Sequence, residues 1–209
     1  MKRVFAGALQ LLEYCVASLS APGQDESGDL DLVQPTERGA LVAAIDGLGH
    51  GAEAASAARL AVATLEAHAN EGVIPLVQRC HERLRHTRGV VMSLVSFDGI
   101  DNTATWLGVG NVEGTLLHQG RREDSTSETI HLRPGVVGYR LPTLQALVTP
   151  VAPGDLLILT TDGIRRDDFS RWFAIEDRTS QIAEYISSNF QKEDDDGMVL
   201  VVRYLGANE

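Results

Sequence analysis

A short apolar run that ends in an aspartate and a glycine-rich turn is the feature that most constrains this chain. The run Ala40–Ile45 is followed by Asp46, glycines stand at positions 47, 49 and 51, and an alanine-rich segment begins at Ala52. Alanine favours helix and allows close packing. A carboxylate at a strand end, in a turn with minimal side chains, is able to approach a cation with its side chain and with the neighbouring backbone. The pattern therefore predicts a buried strand, an acidic turn and a helix in succession.

Periodicity and turn residues organise the rest of the chain into short strands and three helices. Three strands between residues 90 and 118 are joined too closely for parallel crossovers, so they are predicted to be antiparallel. The order of elements predicts an α+β fold with sheets inside and helices outside, as a single domain over residues 1–209. Helices are predicted over Ala52–His68, Ile74–His86 and Ser180–Phe190. Strands are predicted within Val4–Ser20, which holds one or two, and over Asp29–Val33, Ala40–Ile45, Val90–Phe97, Thr103–Val109, Val112–His118, Ile130–Leu132, Leu144–Val148, Leu156–Thr161 and Met198–Tyr204.

The charge and composition exclude several classes of protein. The formal net charge of −11 argues against a nucleic-acid or anionic-membrane surface. The chain starts without the apolar stretch of a signal peptide and contains no long apolar run, so no membrane span is expected. Cys15 and Cys80 suit reduced thiols better than a disulfide framework. These features predict a cytoplasmic protein.

Four acidic sites lie at the ends of predicted strands. Asp29 begins a strand, Asp46 and Asp162 each end one before a glycine, and the run Asp194–Asp196 precedes the last strand. If these strands are neighbours the carboxylates converge, and like charges at such distances repel unless cations lie between them. A cluster of oxygen ligands without His or Cys suits Mg²⁺ or Mn²⁺. Two such ions bridged by one carboxylate form a site for metal-assisted hydrolysis of phosphate esters.

Three motifs together resemble a known family. They are Ile45-Asp-Gly-Leu-Gly-His-Gly51 before an alanine-rich helix, Pro153-Gly-Asp-Leu-Leu-Ile-Leu-Thr-Thr-Asp-Gly-Ile164, and the Asp-Asp-x-x-apolar-Arg pattern at Asp195–Arg203. In this order they resemble the metal-dependent PPM (type 2C) serine/threonine phosphatases, most closely the SpoIIE-like branch and its small stressosome phosphatase. The resemblance spans residues 28–203. It implies an α-β-β-α sandwich with two central, mainly antiparallel sheets flanked by helices.

The resemblance also implies a role for each acidic site. Asp46 would bridge two Mn²⁺ or Mg²⁺ ions, Asp29 and the Gly47 carbonyl would complete one metal site, and Asp162 and Asp195 would complete the other. Asp46 and Asp162 are therefore the expected catalytic residues. A water or hydroxide between the ions would attack the phosphorus of phosphoserine or phosphothreonine directly, so no protein nucleophile is needed.

The expected substrate is a phosphorylated stressosome signalling protein with a STAS domain, and the enzyme is expected to be a monomer. The loop Arg121–Glu128 and the Trp172-Phe173 region are candidates for the surface that selects this substrate. By the same resemblance, Gly110-Asn111 would support the site from a central strand.

Several assignments stay open from the sequence. The triple aspartate leaves the ligand ambiguous: counting back from Arg203 favours Asp195, with Asp194 as second choice. Met198 stands where the family motif commonly has threonine. His50 suits a turn better than a general acid. The phosphate-binding arginine of eukaryotic relatives has no assigned counterpart; the available residues are Arg3, Arg140, Arg165 and Arg166.

Two other functions compete with hydrolysis. Gly47-x-Gly49-x-x-Ala52 also matches a dinucleotide-binding fingerprint. Asp46 would then lie beside the pyrophosphate, and an antiparallel meander follows instead of another βαβ unit, so this reading is rejected. The second alternative is a catalytically silent phosphatase-like module that docks a signalling partner. All four acidic sites are present in the sequence, and this counts against a silent module because such a module would be free to lose them.

Overall fold

Strands outnumber helices in the part of the chain that the computed structural model describes, which comprises residues 2–24, 26–118, 127–169 and 177–207. The helices are α1 (Ala52–Ala67), α2 (Val73–Leu84) and α3 (Thr179–Asn189). The strands are β1 (Lys2–Ala8), β2 (Leu12–Leu19), β3 (Asp29–Pro35), β4 (Gly39–Gly47), β5 (Val90–Asp98), β6 (Thr103–Val109), β7 (Glu113–Leu117), β8 (Ser127–Thr129), β9 (Leu132–Arg133), β10 (Leu147–Pro150), β11 (Leu156–Thr160) and β12 (Gly197–Tyr204).

These strands form two six-stranded sheets. Sheet 1 has the order β1-β2-β12-β11-β7-β8, and sheet 2 has the order β10-β6-β5-β4-β3 with β9 also paired to β6. Every pairing is antiparallel except that of β9 with β6. The predicted α+β class and the mainly antiparallel sheets are confirmed.

Strand alternation divides the interior into three apolar layers. In β4, Leu41 and Ile45 are buried with residues of α1 and α2, whereas Val42 and Ala44 belong to the cluster between the two sheets. Successive side chains of a strand point to opposite faces, so a central strand without polar residues serves two layers at once. On the other side, Ile158 of β11 joins a third layer beneath α3. The layers are therefore helix, sheet, sheet and helix, as the resemblance implied.

The chain changes sheets where a single strand was predicted at Ile130–Leu132. β8 pairs with β7 in sheet 1, and β9 pairs with β6 in sheet 2. Ile130 still donates its backbone N–H to Gly114 in sheet 1 (2.9 Å). The predicted strand is wrong because the segment Ile130–Leu132 crosses between the sheets instead of continuing along one of them.

Val4–Ser20 contains two strands, and most other boundaries lie close to their predicted positions. The exception is β10, which is Leu147–Pro150 where Leu144–Val148 was predicted. Cys15 and Cys80 are both buried and free. No helix in the described ranges has the length and apolar character needed to span a membrane. Of the proposed substrate-selecting surface, Trp172, Phe173 and residues 121–126 lie outside the described residues.

Candidate metal centre

Antiparallel pairing brings the first two aspartates together. Asp29 of β3 lies directly opposite Asp46 of β4. Directly opposed residues of an antiparallel pair point to the same face. Asp46 continues the Val42 and Ala44 face, so both carboxylates lie on the side of sheet 2 that faces sheet 1. Asp29 is only 5% exposed.

The third aspartate follows a strand of sheet 1, and the residue before it is hydrogen-bonded to the first aspartate. Asp162 follows the end of β11, and Asn111 donates its side-chain N–H to the carboxylate (2.8 Å). The preceding Thr161 donates its hydroxyl to the Asp29 carboxylate (2.6 Å) and accepts the backbone N–H of Met198 (2.8 Å). Thr161 therefore ties the two sheets together at the acidic sites.

The triple aspartate separates into residues with different surroundings. Asp195 lines the cavity that also contains Asp46 and Asp162. The buried Asp196 carboxylate accepts the backbone N–H groups of Ala21 (2.7 Å) and Gly28 (2.6 Å), so it anchors the segment that leads into β3. Asp194 is exposed and does not line the cavity. This geometry favours Asp195 over Asp194 as the ligand.

The cavity has an acidic floor and an apolar wall, with a volume of about 610 Å³. His50 and Arg166 are the basic side chains at its rim, and Asn111 lies beside the carboxylates. Of the four arginines left open by the sequence, Arg166 is the one that reaches this cavity. The apolar wall consists of Leu48, Val91, Leu132, Pro134 and Val136.

The glycines of the two Asp-Gly motifs allow backbones to approach closely. A Cβ on Gly47 would overlap the backbone of Ala54 in α1. A Cβ on Gly163 would overlap the carbonyl oxygen of Asp196. The first glycine therefore brings α1 against the end of β4, and the second brings the Asp195-Asp196 turn against Asp162. Each is required for the carboxylates to meet.

Mutual repulsion and burial disfavour the ionised carboxylates. Burial raises the pKa of Asp46 to about 7, and the charges of Asp162, Asp195 and Asp196 act in the same direction. Burial and the Asp46 charge raise the pKa of Asp29 well above its ordinary value, although the hydrogen bond from Thr161 opposes them. Burial and the Asp162 charge likewise raise the pKa of Asp195. A divalent cation would reverse this penalty.

The donor set fits Mg²⁺ or Mn²⁺. All acidic groups at the cavity offer oxygen, and the Gly47 carbonyl oxygen lies beside Gly28, which precedes Asp29. Within the described ranges, no three His, Cys, Asp or Glu side chains are already grouped as ligands of one ion. Mg²⁺ commonly binds through one or two carboxylates and keeps several waters, so it does not require such a group.

The raised pKa of Asp46 predicts a pH-dependent response to metal. The folded chain holds a proton that the unfolded chain releases above about pH 4, so metal-free stability should fall as pH rises toward 7. A divalent cation bound at these carboxylates would take the place of that proton. At a hundredfold excess over its dissociation constant it should add about 2.7 kcal/mol, which is roughly 5–10 °C in melting temperature.

This response is measured by thermal denaturation with Mn²⁺ or EDTA at about pH 5 and about pH 8. The shift caused by Mn²⁺ should be larger at the higher pH. Equal shifts at both values would contradict the electrostatic account of the cluster.

Three features of the candidate site were not predicted from the sequence. They are the Thr161 hydroxyl on Asp29, the direct Asn111 bond to Asp162, and the structural role of Asp196. The position of Thr161 was available from alternation, because it continues the inward face of Leu157 and Leu159. The other two depend on contacts between distant segments, for which the sequence carries no local signal.

Comparison with known proteins agrees with this fold. The family described as Stage II sporulation protein E (SpoIIE) matches residues 36–204. Phosphoserine phosphatase RsbX of Bacillus subtilis (strain 168) is 24% identical over 184 residues, which is 85% of this chain and 89% of RsbX. The structure of RsbX in complex with magnesium superimposes with a TM-score of 0.85 at 19% identity, over 97% of this chain and 100% of RsbX.

Two further solved structures have the same fold. One, described as "The bacterial stressosome: a modular system that has been adapted to control secondary messenger signaling", is 30% identical with a TM-score of 0.84, over 92% of this chain and 99% of its own. The catalytic domain of the serine/threonine phosphatase PstP with two manganese ions has a TM-score of 0.65 at 17% identity, over 93% of this chain and 99% of PstP.

The fold, the acidic cavity and these relatives define a divalent-metal-dependent serine/threonine phosphatase of the PPM (type 2C) class. Within that class, the chain belongs to the SpoIIE family. The predicted family and enzyme class, including the likeness to RsbX, are confirmed.

Proposed function

We propose that this protein removes the phosphate from phosphoserine or phosphothreonine of a STAS-domain stressosome protein, using two Mn²⁺ or Mg²⁺ ions in the cavity between the sheets. Asp46, Asp162 and Asp195 come from both sheets and line one cavity, and the buried Asp29 lies directly opposite Asp46. This convergence carries the proposal. Residues 1–209 would form one catalytic domain.

The carboxylates would hold the ions in the roles implied by their positions. Asp46 would contact both ions, because burial and the charges of Asp162 and Asp195 oppose its ionisation and Asp29 lies opposite it in the sheet. Asp29 and the Gly47 carbonyl would serve one ion, and Asp162 and Asp195 the other. When bound, the ions would supply a water of lowered pKa and neutralise phosphate charge.

Neighbouring side chains would keep these ligands in place. Thr161 holds the Asp29 carboxylate, and Asn111 holds that of Asp162. Both carboxylates are therefore already oriented before metal and substrate bind. Preorganised ligands bind more tightly, since hydrogen-bonded neighbours tune both orientation and affinity. The apolar wall around Leu132 and Val136 would exclude water from one side of the bound phosphoresidue.

The relatives support the substrate class. RsbX is named a phosphoserine phosphatase, and the structure that is 30% identical belongs to work on the bacterial stressosome. Since these similarities cover most of this chain, a phosphorylated stressosome protein with a STAS domain is the substrate to test first.

The decisive experiment measures phosphate release with Mn²⁺, with Mg²⁺ and after chelation by EDTA. An aryl phosphate and a phosphorylated STAS-domain protein serve as substrates, and intact mass reports the loss of phosphate from the protein. We expect either metal to support activity and EDTA to abolish it. Activity that survives chelation would refute the metal mechanism. A protein that binds the STAS partner but hydrolyses neither substrate would instead support the silent docking module.

A further inference from the structure

A second cavity opens beside the candidate metal centre and is lined by basic side chains. It has a volume of about 380 Å³ and shares Asn111, Asp162 and Arg166 with the first cavity. Arg165 and Lys192 line the second cavity but not the first. We call this second cavity the basic cleft. It is lined by Asn111, Glu113, Thr161, Asp162, Ile164, Arg165, Arg166 and Lys192.

Convergence of three cations is unusual for this chain, which carries 18 basic and 29 acidic residues. The carboxylates in the basic cleft are Glu113, which pairs with Arg166, and Asp162, which accepts the Asn111 amide. The lining therefore keeps a positive excess although the protein as a whole is acidic. Such a local reversal of charge attracts an anionic group.

Each cation is held at the basic cleft by a different contact. The Arg165 guanidinium donates to the Asn189 backbone carbonyl. Because a carbonyl carries no formal charge, this bond does not neutralise the charge of the guanidinium. Lys192 is placed by its backbone N–H, which donates to Gly163 beside Asp162 (2.8 Å). Among the described residues, no carboxylate lies within salt-bridge distance of Lys192. Its charge partly offsets the rise in the pKa of the Asp195 carboxyl, which burial and the Asp162 charge cause.

We propose that the basic cleft binds an acidic side chain of the substrate protein, one or two positions from the phosphorylated residue. This inference rests on the proposed phosphatase function and adds a sequence preference to it. The phosphoresidue occupies the first cavity, and the acidic neighbour contacts Arg166 and Lys192.

The geometry suits a neighbouring residue better than the scissile phosphate. The phosphate must meet the ions that the carboxylates of the first cavity would hold, and Arg165 and Lys192 do not line that cavity. An extended chain advances about 3.3–3.6 Å per residue, so one or two residues reach from one cavity into the adjoining one. Arg166 belongs to both cavities and therefore lies at the junction between them.

The test compares phosphoserine peptides that differ only in the flanking residue, which is Asp, Ala or Lys. The measured quantity is the ratio of kcat/KM values within each enzyme at saturating Mn²⁺, so a general change in activity cancels. For the wild type we expect the Asp peptide to be preferred over the Ala peptide by about fivefold, which is typical of a few solvent-exposed charge pairs. The preference should shrink at about 1 M salt, where such pairs are screened.

Two charge-reversal variants are compared. Lys192→Glu should remove the preference for Asp and favour the Lys peptide. Arg83→Glu on the outer face of α2 makes the same change in net charge away from the basic cleft and should keep the wild-type ratio. Fluorescence anisotropy of labelled peptides provides a second readout that does not require hydrolysis.

The outcomes separate this inference from the proposed function. An unchanged Asp-to-Ala ratio in Lys192→Glu, or a wild type without any preference in both assays, would overturn the acidic subsite even if hydrolysis is normal. A wild type that hydrolyses no phosphate ester would refute the proposed function, and peptide binding would still decide whether the basic cleft prefers acidic sequences.

Discussion

Replacement of Asp46 by Asn should lower phosphatase activity by roughly a thousandfold, which corresponds to about 4 kcal/mol of lost transition-state stabilisation. Asp46 lies opposite Asp29 and shares its cavity with Asp162 and Asp195, so its charge is the one that both ions would use. Asparagine has nearly the same shape but loses the negative charge. The loss should appear in kcat/KM for the aryl phosphate at saturating Mn²⁺.

The same substitution should stabilise the metal-free protein. Burial and neighbouring charges raise the pKa of Asp46 to about 7, so ionisation above that pH costs folding free energy that Asn does not incur. In EDTA at about pH 8, the melting temperature of Asp46→Asn should therefore exceed that of the wild type. Loss of activity together with gain of stability is the signature of a charge kept for function.

Asp98→Asn is the matched control for this experiment. Asp98 ends β5 opposite Gly39, at the far end of β4 from Asp46, and it pairs with Arg38. Its activity should stay close to that of the wild type. An Asp46→Asn enzyme that keeps most of its activity would contradict the bridging role, whatever the control shows.

Replacement of Asp196 by Ala should destabilise the fold by about 2–5 kcal/mol, because a buried charged acceptor is removed and two buried backbone N–H groups lose their partner. Those groups belong to Ala21 and Gly28, which flank the segment before β3. Chemical denaturation monitored by circular dichroism measures the change as a lower midpoint. Since Gly28 precedes Asp29, activity should fall as a consequence of lost order.

Asp194→Ala removes an exposed carboxylate two positions away and is the control for this change. Its denaturation midpoint should stay near that of the wild type. Equal midpoints for Asp194→Ala and Asp196→Ala would show that Asp196 does not anchor the segment. A large loss of metal affinity in Asp196→Ala without a loss of stability would instead make Asp196 a ligand.

The sequence by itself determined the layers of the fold and most of the candidate site. A strand such as β4, apolar on both faces, must lie between two buried layers, and its periodicity is visible without any structure. Each of the two Asp-Gly motifs likewise marks a strand that ends in a carboxylate beside a close backbone contact. The motifs are visible in the sequence because each consists of adjacent residues. Asp46 and Asp162 were predicted in this way, whereas Asp29 was predicted from the start of a strand and Asp195 by counting back from Arg203.

Only the tertiary structure decided which of several similar residues lines the cavity and which stabilises a neighbouring segment. Asp195 and Asp196 are adjacent and chemically identical, yet one lines the cavity and the other binds the backbone N–H groups of Ala21 and Gly28. The crossing at Ile130 and the basic cleft depend in the same way on sheet order, which places β11 between β7 and β12. Local periodicity sets which face of a strand is buried, but it does not specify which strands become neighbours. That choice depends on long-range packing and hydrogen bonds between segments far apart in the chain.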